Sequence, residues 1–331
     1  MTLFNPFRKS VLKVFLLVAL LAVLAVGGAA FMCLNATTAN AEPVRINLPT
    51  SDEADAARNA IVSSGLVDDD PLFGLIAAAL KLDKGWREGS YVVQPHTPVH
   101  RLIKRITRGQ QDPIRLTIGK FRLPQQLEAY LDEKLMHNDF SIPLDSLHLI
   151  LPDTYELYWT ISPDHFMQRM RKEYDAFWRA ESGERRTEKE ALGKREVIVL
   201  ASIVEEETNY GPEKGTIASV YLNRLRRGMP LQADPTVKYA LGDFALRRIL
   251  NTHLKTDSPF NTYLHTGLPP APICTPSKAS IRAVINAPET PYIYFCANEK
   301  MDGTHRFASS LAEHNRNAAA FHAALNRKGI R

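Results

Sequence analysis

From Val14 to Leu34 the chain is apolar without a single charge, and beyond it apolar positions recur mostly at helical intervals, broken by short alternating runs. An uncharged stretch of about 20 residues, rising about 1.5 Å per residue, crosses a hydrocarbon core about 30 Å thick. It predicts a single transmembrane helix over residues 14–34. Arg8, Lys9 and Lys13 precede it and Glu42 follows. That bias expects residues 1–13 in the cytoplasm and the rest of the chain on the far side. Ala39-Asn40-Ala41 resembles a signal cleavage site, but the apolar run exceeds a signal core of about 7–15 residues, which favours a retained anchor. Residues 35–43 are small and polar and end at Pro43, the composition of a flexible linker.

Beyond the linker, helical patterns over 54–64, 71–81 and 99–107 alternate with strand patterns over 89–93 and 114–118. Helices and strands of this length predict a compact α+β module over residues 44–120. The remainder, 121–331, reads as a larger mixed α/β domain. It holds a helix over 127–135, a buried apolar run over 148–159 broken by a turn at Pro152-Asp153, and charged helical pattern over 163–195 with a turn near Ser182-Gly183. The fold class is therefore α+β.

Composition narrows the function. The 41 basic and 36 acidic residues give a net charge of +5, too small an excess to argue for nucleic acid as a partner. Cys33, Cys274 and Cys296 make no disulfide framework and offer no metal-ligand spacing, so no metal or cofactor is implied. A Cys274–Cys296 bridge is the minor alternative to buried thiols.

The chemistry lies in the second half. Val197–Val204 is apolar all round except for Ser202, the pattern of a helix buried on every side. Glu205, Glu206 and Glu207 end it. Successive helical residues are turned about 100° from one another, so the three cannot share one environment. A carboxyl kept near the apolar body loses hydration, its pKa rises, and it becomes a proton donor at neutral pH. Spacing alone does not choose among them. A second helix, 213–227, ends at Gly228 with Arg224, Arg226 and Arg227 placed to suit the helix dipole. Asp234 before Pro235 has the look of a helix N-cap.

Residues 256–276 hold Asn261, Thr262, Tyr263 and His265 among five prolines and Gly267. Such a segment is a stiff, ordered loop. Neutral donors and acceptors beside an aromatic ring suit a sugar polymer better than a phosphate. A strand over 291–297 and the segment 305–315, with His305 and His314, follow and can present polar groups to the same cleft.

The runs LASIVEEET, IASVYLNRLRRGMPLQADPTV, FNTY, TGLPP and PYIYF, in this order over 197–315, together with PDTY at 152–155 and the amino-terminal anchor, resemble the YceG-like family of endolytic murein transglycosylases. The resemblance implies a single-pass inner-membrane protein, a LysM-like module at 44–120 and a periplasmic catalytic domain at 121–331 that cuts nascent peptidoglycan strands beside peptidoglycan synthases. It places the catalytic glutamate on Glu205. It implies substrate contacts from Glu207, Gln232, Asp234, Asn261, Thr262, Tyr263, Gly267 and Pro269. The chain departs from the family at Leu147-His148-Leu149 and at Ile118-Gly119-Lys120-Phe121, where a family glutamate has no counterpart.

The reaction so implied is cleavage of the β-1,4 bond between N-acetylmuramic acid and N-acetylglucosamine with closure of a 1,6-anhydro ring. One carboxyl suffices there, because the C6 hydroxyl is a tethered nucleophile. A muramidase needs a second carboxylate, for which Glu207 or Asp234 is available. The rival of another class is an inactive membrane-anchored scaffold that only binds peptidoglycan.

Overall fold

The computed structural model describes residues 6–181, 192–246 and 248–328. The turn expected near Ser182-Gly183 lies outside them. The chain divides into two compact units, Met1–Arg115 with Glu156–Ile161, and Leu116–Tyr155 with Ser162–Arg331.

In the first unit, α1 (Pro6–Asn35) contains the apolar stretch Ser10–Asn35, with mean hydropathy 2.8, long and apolar enough to cross a membrane; near its end Cys33 packs against the core of the unit. Strand β1 (Val44–Leu48) pairs antiparallel with β2 (Gly89–Val93), Val44 opposite Val93 and Leu48 opposite Gly89. Between them lie α2 (Ala56–Ser63), α3 (Pro71–Ala79) and the single turn α4 (Leu82–Gly85), and α5 (Val99–Thr107) follows. The helical spacing in α5 works as read: Val99, Leu102, Ile103 and Ile106 form one stripe, and all four are buried with Ile46, Leu48, Phe73 and Tyr91. Asp70 caps α3 by accepting the Phe73 amide, with Pro71 at the first position.

Residues 35–43 are not a flexible linker. Thr37 forms a β-bridge to Pro98, and the amides of Thr38 and Ala39 donate to the carbonyls of Thr97 and Leu66. Asn40 is buried and its side-chain amide donates to the carbonyls of Glu42 and Val93. Small polar residues satisfy the composition of a linker and of a fitted strap alike. Here the partners across the chain decide, because each buried backbone group must be paired.

The division between the units falls within β3 (Ile114–Ile118) and β4 (Asp153–Leu157), which pair with each other. Asp153 opens β4 instead of closing a turn. The second unit adds α6 (Pro124–Lys134), α7 (Pro163–Ala180), α8 (Lys194–Glu207), α9 (Lys214–Arg226), α10 (Asp234–Leu241) and α11 (Lys278–Ile285). A hairpin of β5 (Tyr294–Ala297) and β6 (His305–Ala308) and the helix α12 (Leu311–Arg327) complete it. Residues 291–293 of the expected longer strand stay outside β5. Helix α8 is the centre: every residue from Val197 to Val204 is buried, among Tyr174, Trp178, Ile217, Tyr221, Ile281 and Ile285. Ser202, its one polar interior residue, donates to the Val199 carbonyl and accepts the Ile273 amide, so it ties the 256–276 loop to the core. All three cysteines are free thiols, and no Cys274–Cys296 bridge forms.

Replacing Asn40 by Ala removes the donor to the buried Val93 carbonyl, a loss of about 1–3 kcal/mol. Amide exchange of the full chain in detergent should quicken at Thr38 and Ala39 and stay unchanged in α8.

Candidate active site

Helix α8 delivers its three terminal carboxylates into three different surroundings, as the 100° step requires. Glu205 points at the start of α9 and α11, where its Oε2 accepts from Lys214 Nζ at 3.0 Å, Ser277 Oγ at 2.6 Å and the Ser280 hydroxyl. Burial pushes its pKa up, but these hydrogen bonds and the Lys214 charge outweigh burial and hold the carboxyl below its ordinary value. Glu206 pairs with Lys120 at 2.9 Å and Arg122 at 2.8 Å, and these partners likewise overcome burial and keep it ionised.

Among the described residues Glu207 has no such cation in contact, and Tyr221 is its one hydrogen-bond donor, through the phenolic hydroxyl at 2.5 Å; the residue is partly buried. Burial, reinforced by the nearby charge of Asp234, pushes its pKa up to about 7 against the Tyr221 bond and the more distant Lys238 and Arg224. The three consecutive carboxyls therefore differ in acidity, two held below the ordinary value and one raised above it.

Glu207 opens onto a cavity of about 360 Å³ whose polar wall includes Arg224, Gln232, Asp234, Tyr263, His305 and His314. Asp234 is not the N-cap: Ala233 takes that position, and Asp234 is the first helical residue of α10, with Pro235 second. Its side chain is thereby freed to accept the Tyr263 hydroxyl at 2.6 Å. Arg224 is not a dipole-facing surface cation either. It is buried, donates to the carbonyls of Ile293 and Leu231 at 2.7 Å each, and lies over the Tyr294 ring. Its carbonyl partners pin β5 and the Leu231–Gln232 turn to α9. His305 is held by Glu213, which accepts both its backbone amide and its Nδ1, the latter at 2.9 Å.

Of the residues carried over by resemblance, Glu207, Gln232, Asp234 and Tyr263 line this cavity, while Glu205 does not. Asn261 and Thr262 are buried beneath it and build the loop. Asn261 donates to the carbonyls of Leu254 and Thr256, and Thr262 Oγ1 bonds the Ala233 amide and Thr236. Gly267 adopts φ +86°, a left-handed turn suited to glycine, and Pro269 is buried; neither reaches the cavity wall. Tyr221 and Arg224 were missed in the sequence. Their i, i+3 spacing on α9 puts them on one face, but nothing in that spacing tells which face meets Glu207.

Residues 46–320, most of the chain, match the YceG-like family. The chain belongs to the YceG-like family. This YceG-like chain is 39% identical over 140 residues to a Bacillus subtilis (strain 168) protein named endolytic murein transglycosylase, a match covering 42% of this chain and 38% of that protein. A protein of the same name from Streptococcus pneumoniae serotype 2 is 34% identical over 132 residues, covering 39% of this chain and 24% of its own length. The chain therefore aligns with well under half the length of these curated relatives. A solved structure of a yceG-like protein from Listeria monocytogenes is similar with a TM-score of 0.49 and 25% identity, over 83% of this chain and 99% of that one.

The raised Glu207 pKa has a stability consequence. The folded state keeps a proton that the unfolded chain releases near the ordinary value of 4.5, so stability is highest below that value and falls as pH rises towards about 7. Glu207→Gln removes this dependence. Its melting temperature should equal or exceed that of the wild type at pH 8, with the gap, roughly 1–3 kcal/mol, narrowing by pH 4.5.

Proposed function

We propose that this YceG-like protein is an endolytic murein transglycosylase, and that Glu207, not Glu205, is its acid and base. The observation that carries the reading is the Glu207 carboxyl itself: partly buried, its pKa raised to about 7, and opening onto a cavity walled by Gln232 and Tyr263 together with the charged Arg224 and Asp234. Protonated Glu207 donates to the glycosidic oxygen as the C1–O4 bond of N-acetylmuramic acid breaks. The carboxylate then takes the proton of the C6 hydroxyl of the same sugar as the C1–O6 bond forms, closing the 1,6-anhydro ring and restoring the acid. Tethered attack can offset about 7–11 kcal/mol of the barrier, so no second carboxylate is needed. Tyr221 fixes one carboxyl oxygen and leaves the other for the proton. Glu205 has the opposite properties: held ionised by Lys214, Ser277 and Ser280, it is a poor proton donor at neutral pH and serves to join α8, α9 and α11.

The setting follows from the same reading. The apolar helix anchors the chain in the inner membrane with the catalytic unit on the periplasmic side, beside growing strands and the synthases that make them. The antiparallel β1–β2 pair with helices between supports a small LysM-like module for glycan. A muramidase is favoured only to the extent that Asp234 stands in the same cavity, and its hydrogen bond from Tyr263 already occupies that carboxylate.

The test is mass spectrometry of glycan strands digested by the full chain in detergent. The wild type should leave 1,6-anhydro ends. Glu207→Gln should lose about 10²–10⁴-fold in rate with its fold intact, while Glu205→Gln should be less stable but keep cleaving. An active Glu207→Gln beside a folded, inactive Glu205→Gln overturns the assignment. Reducing ends would make water the acceptor, and binding without any cleavage would leave a scaffold.

Because the acid must be protonated, kcat/KM should fall about tenfold per pH unit above about pH 7. Tyr221→Phe, which removes a bond favouring the ionised carboxyl, should move that limb to higher pH.

A further inference from the structure

A second cavity, of about 680 Å³, opens from the same wall. Glu207, Ala297 and His305 border both cavities, so the poised carboxyl stands at their divide. The walls of the second come from three elements: Asn209 and Tyr210 just after α8, Asn298 and Met301 in the β5–β6 turn, and Phe321 and Leu325 on α12. Phe321 and Leu325 lie beyond residue 320, where the family match ends.

The lining joins aromatic and amide side chains to the acids Glu207 and Asp302, a chemistry for an uncharged, ring-shaped ligand. Tyr210 is 47% exposed, a large aromatic surface left uncovered on the wall. An aromatic face meets the C–H face of a pyranose, and the neighbouring Asn209 side-chain amide suits hydroxyl and N-acetyl groups, while Asn298 uses its amide to hold the turn, donating to Thr304 Oγ1 and accepting the Lys300 amide. No Lys or Arg lines it among the described residues, so an anionic ligand finds no counter-charge. The turn is also shaped at a cost. Met301 sits at φ +57°, its amide donating to the Asn298 carbonyl at 2.9 Å, in a left-handed conformation that glycine would adopt freely. A strained residue whose side chain lines a cavity points to use of that side chain.

We propose that this second cavity is a saccharide subsite, taking the N-acetylated hexose units on the other side of the scissile bond from the Asp234–Tyr263 cavity. The inference rests on the function proposed above and deepens it. Cutting an internal bond requires the strand to be gripped on both sides of the acid, and two cavities meeting at Glu207 provide that grip. Their joint length, not either alone, makes the enzyme select internal bonds over chain ends.

The experiment measures binding of purified glycan oligosaccharides by calorimetry to the full chain carrying Glu207→Gln, alone and combined with Tyr210→Ala, Phe321→Ala or Met301→Gly. The same three changes in the otherwise wild-type chain are assayed for cleavage. Tyr210→Ala and Phe321→Ala should each weaken binding about tenfold and raise KM for long strands, with the kcat pH limb unmoved. Met301→Gly separates grip from architecture: relief of the left-handed strain should raise the melting temperature while affinity still falls. Unchanged affinity and KM in all three folded variants would overturn the subsite. Absence of anhydro ends from the wild type would instead overturn the proposed function, and the affinities would still decide whether this cavity holds glycan.

Discussion

The second unit is organised by one constraint: α8 is apolar on every side, so it must be surrounded, yet it ends in three consecutive carboxylates. Burying the helix carries its last turn into the interior, where an unpaired charge is costly. Two of the three are neutralised locally, Glu205 by Lys214 with two serines and Glu206 by Lys120 with Arg122. Among the described residues the third has only a phenol as hydrogen-bond donor, and burial outweighs that bond and the more distant Lys238 and Arg224. Its altered acidity is the direct consequence of packing the helix that bears it.

The cavity around Glu207 is held by groups that are themselves tied down. Arg224 spends its donors on backbone carbonyls, Tyr263 is fixed by Asp234, and His305 by Glu213. Arg224 therefore lends a positive field without pairing with Glu207, and Asp234 lends a negative one. The loop that brings Tyr263 is stiffened by proline and stitched from beneath by Asn261 and Thr262. Residues expected to touch a ligand thus hold those that line the cavity, a common division of labour at a preorganised site.

The first unit answers to a different demand. Its core is small, and the residues after the apolar helix add a bridge and paired backbone groups to it. Asn40 supplies a side-chain amide to the β2 carbonyl of Val93. The strap is part of the fold of this unit, where composition alone suggested slack.

What the sequence determined by itself is what short-range chemistry dictates. An uncharged run longer than a bilayer is thick, the i, i+3, i+4 stripe of Val99–Ile106, and an apolar helix ending in glutamates are all properties of neighbours along the chain. They located the apolar N-terminal helix, α5 and α8, and they established that the three carboxylates must part company. Which carboxylate met which environment depended on residues 9 to 86 positions away: Lys214, Ser277 and Ser280 on Glu205, Lys120 and Arg122 on Glu206, Tyr221 on Glu207. Resemblance placed the catalytic glutamate on Glu205 by motif order, whereas the proposal of Glu207 rests on these surroundings. Nor did local pattern reveal that Arg224 turns inward or that Asp234 yields the cap to Ala233. Side-chain acidity is set by burial and by charges across space, and only the tertiary structure brings those together.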